Sequence, residues 1–233
     1  MTYVMSDLHG EYEKYIRMLR TIRFSDDDVL YILGDVLDRG EHPIRILTDM
    51  SMRANVIPLR GNHEELAEHV LRRLCVEITA ENCESHLTPE DLDAMSSWLL
   101  DGGATTIEEF TKLPMDDRLF LLEYLEEFTD IEEITVGDST FVLTHAGLSD
   151  FHPDKPLADY APFRYGIDET DYETRYYPDK YLVTGHIPTL RISPEHDGRI
   201  YIRNGHIAID CGATFDRPLG CLRLDDMMEF YVK

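Results

Sequence analysis

Side chains able to bind a cation recur along the chain, each just past a short apolar run. They are Asp7 and His9 in SDLHG, Asp35 in GDVLDRG, Asn62 in GNHEE, His145 in THAG and His186 in TGHIP. Carboxylate, amide and imidazole donors without thiolates suit Mn²⁺, Fe or Zn²⁺ at a reactive centre better than a structural zinc site. Asp7 and His9 are two apart, so on extended backbone they would project from one face. GDVLDRG sets Asp38 and Arg39 behind Asp35, and GNHEE sets His63 behind Asn62. A turn accounts for the glycines and one aspartate, but not for three charged residues together. Any one of these side chains is ordinarily a turn residue or a satisfied polar group. Their recurrence at successive strand ends is what points to a metal-assisted reaction.

The elements that would carry them read as follows. Apolar YVM (3–5), VLYIL (29–33) and NVIPL (55–59) alternate with helical patterns at Tyr15, Met18, Leu19, Ile22 and at Ile44, Ile46, Leu47, Met50. A third helix begins near RGNHEE. This is β-α-β-α-β, with a polar loop about every 30 residues, the length of one strand–helix–strand unit. Parallel strands place such loops at one sheet edge, where α/β proteins bind ligands.

Residues 66–137 read as a helical insertion. TPED (88–91) has a capping threonine, a proline at the first helical position and acids in the first turn. Leu119, Leu122 and Leu125 predict an amphipathic helix, and EEFTDIEE reads as a solvated face. Strands return at STFVLTHAG (139–147) and KYLVTGHIP (180–188). RIYIRNGHIAIDCGA and PLGCLRLDDMMEFYV then read as hairpins turning at NG and DD. The tract 150–179 reads as a long loop. The whole is expected to form one domain over 1–233.

A chain of 233 residues with 43% hydrophobic side chains can bury a core. Its net charge of −24 argues against nucleic-acid or acidic-membrane binding, which would need a basic face. No apolar stretch reaches membrane-spanning length, and MTYVMSDLHG lacks the basic and apolar regions of a signal peptide, so a cytoplasmic location is expected. Cys75, Cys83, Cys211 and Cys221 fit no zinc or redox spacing and read as reduced thiols.

SDLHG, GDVLDRG, GNHE, HAG and a later GH, in that order, resemble the signature of the PPP-type serine/threonine phosphatases within the calcineurin-like metallophosphoesterases. The resemblance implies an α/β sandwich of two mixed β-sheets flanked by helices. It implies two divalent metal ions, Mn²⁺ favoured, with Fe or Zn²⁺ possible. Asp7, His9 and Asp35 would hold one; Asp35, Asn62, His145 and His186 would hold the other. A metal-bridging hydroxide would attack phosphorus in line. His63 would be the general acid, oriented by Asp38. Arg39, Asn62 and Arg164 would bind the substrate phosphate.

The implied substrate is a phosphorylated protein or a small phosphoester. Dinucleoside tetraphosphate hydrolases share HAG with this chain, but typically lack the second aspartate of GDxxDRG and carry GNHD. Asp38 and Glu64 therefore favour the phosphatase reading. A non-catalytic scaffold is disfavoured because the whole ligand set is intact. HAG in place of HGG, and the absence of recognisable C-terminal groove elements, liken the chain to compact bacterial or phage members. Arg60 and Glu64 are expected to support the GNH loop. Trp98, in WLLDGGAT, is expected to pack in the core rather than to form a substrate rim.

Overall fold

A computed structural model describes residues 1–79, 81–82, 87–148, 151–160 and 170–233. The first half alternates strand and helix: β1 (Thr2–Met5), α1 (Tyr12–Thr21), β2 (Val29–Leu33), α2 (Pro43–Ser51), β3 (Val56–Leu59) and α3 (Asn62–Leu74). Next come α4 (Pro89–Leu100), α5 (Ala104–Phe110) and α6 (Met115–Glu126). The second half holds β4 (Ile131–Val136), β5 (Ser139–Thr144), β6 (Lys180–Thr184), α7 (Thr189–Ile192), β7 (Tyr201–Arg203), β8 (His206–Ala208), β9 (Leu219–Arg223) and β10 (Met228–Val232).

Two five-stranded mixed sheets form, ordered β10-β9-β1-β2-β3 and β4-β5-β6-β8-β7. The period-2 alternation of the strands decides what each face meets. In β1, Val4 enters the core between the sheets with Leu33, Leu59, Phe141, Leu143 and Val183. Its neighbours Tyr3 and Met5 face the other way, into the larger core shared with the helices. The outer face of the second sheet is covered by a smaller cluster around Val142, Leu182, Leu148 and Tyr160. The two-sheet α/β architecture is the one expected from the sequence.

β1, β2 and β3 run parallel, as do β5, β6 and β8. Six loops therefore leave the carboxyl ends of parallel strands. Tyr15, Met18, Leu19 and Ile22 are buried as the helical period required, and so are Ile44, Ile46, Leu47 and Met50. Thr88 caps α4, its hydroxyl accepting from the Asp91 N–H at 3.2 Å.

Three details differ from the sequence reading. In α6 the buried set is Leu121, Leu122 and Leu125, while Leu119 is exposed. EEFTDIEE is largely solvated as expected, but its last part is strand where a helical insertion was expected to run to about 137. Ile131, Glu132 and Glu133 begin β4, an edge strand paired antiparallel with β5, and such charges are usual on an unpaired edge. The hairpin at NG is present, but its second strand, β8, also lies parallel to β6. Cys211 and Cys221 are buried free thiols and Cys75 is half-buried, while Cys83 lies outside the described residues. Among the described residues, no helix is long and apolar enough to cross a membrane.

The ends of β2 and β3 are tied together by one carboxylate. Glu64, buried at the start of α3, accepts from the Asp35 N–H (2.8 Å), Val36 N–H (2.8 Å), Leu37 N–H (3.1 Å) and Gly61 N–H (2.9 Å). Gly61 permits the close approach, since a Cβ there would lie 2.3 Å from Asp35 Oδ1. An amide in place of Glu64 keeps one acceptor oxygen and strands two buried N–H groups, at about 1–3 kcal/mol each. Glu64→Gln should lower the unfolding free energy by an amount in that range, read by urea denaturation with metals chelated. Unchanged stability would show that the four bonds do not hold the two loops.

Candidate active site

The strand-end loops converge on a cleft of about 400 Å³ lined by His9, Asp35, Arg39, Asn62, His63 and His186, among others. Two groups of ligand atoms form there: His9, Asp35 and His63, and Asp35, His145 and His186. Within each group all atoms lie within 4.8 Å of one another, and Asp35 belongs to both. His145 Nε2 lies 3.3 Å from Asp35 Oδ1 and 3.0 Å from Asn62 Oδ1, and His9 Nε2 lies 3.6 Å from Asp35 Oδ2. Asp7 is buried alongside, and its carboxylate accepts the His186 N–H at 3.0 Å.

Asp7 and His9 do not meet by strand alternation. Asp7, His9, Asp35, Asp38, Arg39 and His186 all have positive φ, between 39° and 73°. Tight left-handed turns aim them inward, at about 1–2 kcal/mol of backbone strain per residue.

The donor set fits a cation. His9 Nδ1–H donates to the Leu37 carbonyl (2.9 Å) and His145 Nδ1–H to the Leu33 carbonyl (2.7 Å), so each ring turns Nε2 toward the cluster. Burial holds the His9 pKa down to about 3. Burial and the neighbouring His145 hold that of His186 at about 4, so both rings are neutral near pH 7. Asp7 is pushed well above the usual carboxylate range by burial and by the nearby Asp210 and Asp35 carboxylates. Burial opposes a charge on His145, yet Asp35 and Asp7 overcome it and raise its pKa to about 10. The cluster thus carries more buried negative charge than it can hold without a proton or a cation.

The loop behind Asp35 builds a second constellation. His63 Nδ1 and Asp38 Oδ2 are 2.6 Å apart, and both residues are buried. The same oxygen accepts the Trp98 indole N–H at 2.6 Å, and Oδ1 accepts the Thr106 hydroxyl at 2.6 Å. Burial would lower the His63 pKa, but Asp38 and Asp35 outweigh it and raise it to about 9. Arg39 reaches over this pair, with Nη1 2.8 Å from His9 Nε2 and Nη2 3.0 Å from His63 Nε2.

Asp7, His9, Asp35, Asp38, Arg39, Asn62, His63, His145 and His186 are therefore together; Arg164 lies outside the described residues. Trp98 is fully buried as expected, yet it also donates to Asp38 from the helical insertion. Asp210 was not singled out from the sequence. It is buried beyond the end of β8 and lines the cleft, its pKa raised to about 6 by burial. The signal was present in IAID, an apolar run ending in aspartate like the others.

Residues 2–190 match the family model for calcineurin-like phosphoesterases. The chain belongs to that family. Over 120 residues it is 30% identical to the symmetrical bis(5'-nucleosyl)-tetraphosphatase of Salmonella paratyphi B, a match covering 49% of this chain and 41% of that protein. The match thus spans about two-fifths of the length of that relative. A solved structure of a proposed diadenosine tetraphosphatase superposes with a TM-score of 0.65 at 15% identity, covering 99% of this chain and 92% of the other. A cold-active protein-tyrosine phosphatase from a psychrophilic Shewanella species superposes at 0.53 with 16% identity, covering 100% and 80%. At such identities the likeness is one of fold.

A cation bound at His145 must displace the proton that Asp35 and Asp7 hold on it at neutral pH. Metal affinity should therefore rise with pH, and about one proton per chain should be released on binding near pH 7. Calorimetry in two buffers of different ionisation enthalpy measures this. Binding without proton release would contradict the assignment of His145 as a ligand.

Proposed function

We propose that the chain is a dinuclear-metal phosphatase that removes phosphate from serine and threonine side chains. Asp7, His9 and Asp35 hold one divalent ion; Asp35, Asn62, His145 and His186 hold the other, with Mn²⁺ favoured. When bound, such ions supply Lewis acidity to the phosphoryl oxygens and lower the pKa of the attacking water. The chain's own residues do the rest. Arg39 and Asn62 orient the phosphoryl group, and Arg39 offsets charge that grows on its oxygens. His63 gives the proton on Nε2 to the departing oxygen, while Asp38 holds Nδ1 and keeps the ring charged beforehand. His63 also falls within one ligand group, but its Asp38 partner and raised pKa favour the role of acid.

The observation that carries this reading is the Asp38–His63 pair with its two further donors, Trp98 and Thr106. Proton donation matters most when the leaving group is strongly basic. A serine or threonine alkoxide is, whereas a nucleoside diphosphate leaves readily without a proton. The names of the tetraphosphatase relatives favour a second reading, hydrolysis of dinucleoside tetraphosphates. The two are separated by assaying Mn²⁺-loaded protein on phosphothreonine peptides and on diadenosine tetraphosphate. The first reading expects the peptides to be preferred. It also expects His63→Ala to slow peptide hydrolysis by about 10²–10⁴-fold while leaving metal binding intact. Preferential release of ADP from the dinucleotide, with little loss in the His63 variant, would overturn it.

A further inference from the structure

One charged residue beside His63 has no part in that scheme. Asp101 sits at the carboxyl end of α4, with Oδ1 3.0 Å from Arg39 Nη2 and Oδ2 3.4 Å from His63 Nε2. Its side chain is 45% exposed, yet its position is fixed from several sides. Its N–H donates to the Ser97 and Trp98 carbonyls at 3.2 and 3.1 Å. Its carbonyl accepts from Arg39 Nε at 3.4 Å, and the Gly102 carbonyl accepts the Arg39 N–H at 3.0 Å. Gly102 has φ +108°, and a Cβ there would lie 2.7 Å from Arg39 Cγ, so the turn can press against the arginine only as glycine.

Nε2 is the atom of His63 not engaged by Asp38, and so the one that meets the leaving oxygen. Whatever substituent that oxygen carries must emerge within a few ångströms of the Asp101 carboxylate. Arg39 pairs with Asp101 through Oδ1, which leaves Oδ2 on the His63 side. We propose that Asp101 is a specificity-determining residue that selects the charge of the leaving group. Neutral and cationic leaving groups are accepted, and anionic ones are repelled. Hydroxyamino acids beside basic residues fit this rule, and a nucleoside diphosphate does not. The inference rests on His63 acting as the leaving-group acid. Across a few ångströms of a partly solvated site, exchanging a cation for an anion on the leaving group should change the rate by about 3–10-fold.

The test compares kcat/KM for 4-(aminomethyl)phenyl phosphate and 4-carboxyphenyl phosphate in the Mn²⁺-loaded parent chain and in Asp101→Asn. The ratio of the cationic to the anionic ester should fall about 3–10-fold in the variant. In the parent chain the same ratio should shrink in 1 M salt, a readout that needs no variant. A merely structural role would lower both values alike and leave the ratio unchanged. An unchanged ratio in Asp101→Asn, a salt-independent ratio in the parent, or no turnover of either ester would overturn the proposal. If the aryl pair behaves as expected but phosphothreonine peptides are refused, only the protein-phosphatase reading falls.

Discussion

The site depends on holding Asp35 in one place, because both groups of ligand atoms include it. Asp35 lies in a loop whose backbone would otherwise leave three N–H groups unpaired in a buried environment. Glu64 accepts all three and adds the Gly61 N–H from the neighbouring strand end. One carboxylate at the first turn of a helix thus satisfies two loops and sets the distance between them. The apolar strands explain why the loops sit at one edge; Glu64 explains why they meet.

Around that point the fold tolerates unfavourable backbone. Six residues of the site occupy left-handed conformations, and they persist because each of these turns leaves a paired, buried strand. The helical insertion adds to this support. Trp98 and Thr106, from α4 and α5, saturate the Asp38 carboxylate, so its orientation toward His63 is set by residues 60 and 68 positions away in sequence.

The parallel half was legible because hydrophobic period and strand-end ligands repeat together. Asp7, His9, Asp35, Asn62, His145 and His186 all stand at strand ends, and all converge. Asp210 was not legible in the same way. NG marked a hairpin, which is present, and this hid the parallel pairing of β8 with β6. The role of the insertion was also hidden. No local pattern in WLLDGGAT reveals that the indole N–H finds a carboxylate rather than only a hydrophobic seat. Leu119 faces outward because the helix packs along a narrow stripe that buries Leu121, Leu122 and Leu125 instead.

The central claim is that Asp35 bridges two metal ions. Electron paramagnetic resonance of the Mn²⁺-loaded chain tests it directly, since two ions sharing a carboxylate are close enough for their spins to couple. A coupled-pair spectrum at two equivalents of Mn²⁺, replaced in Asp35→Asn by the spectrum of isolated Mn²⁺, is the result this account predicts. Isolated-ion spectra in the parent chain at that loading, or coupling that survives in Asp35→Asn, would contradict it.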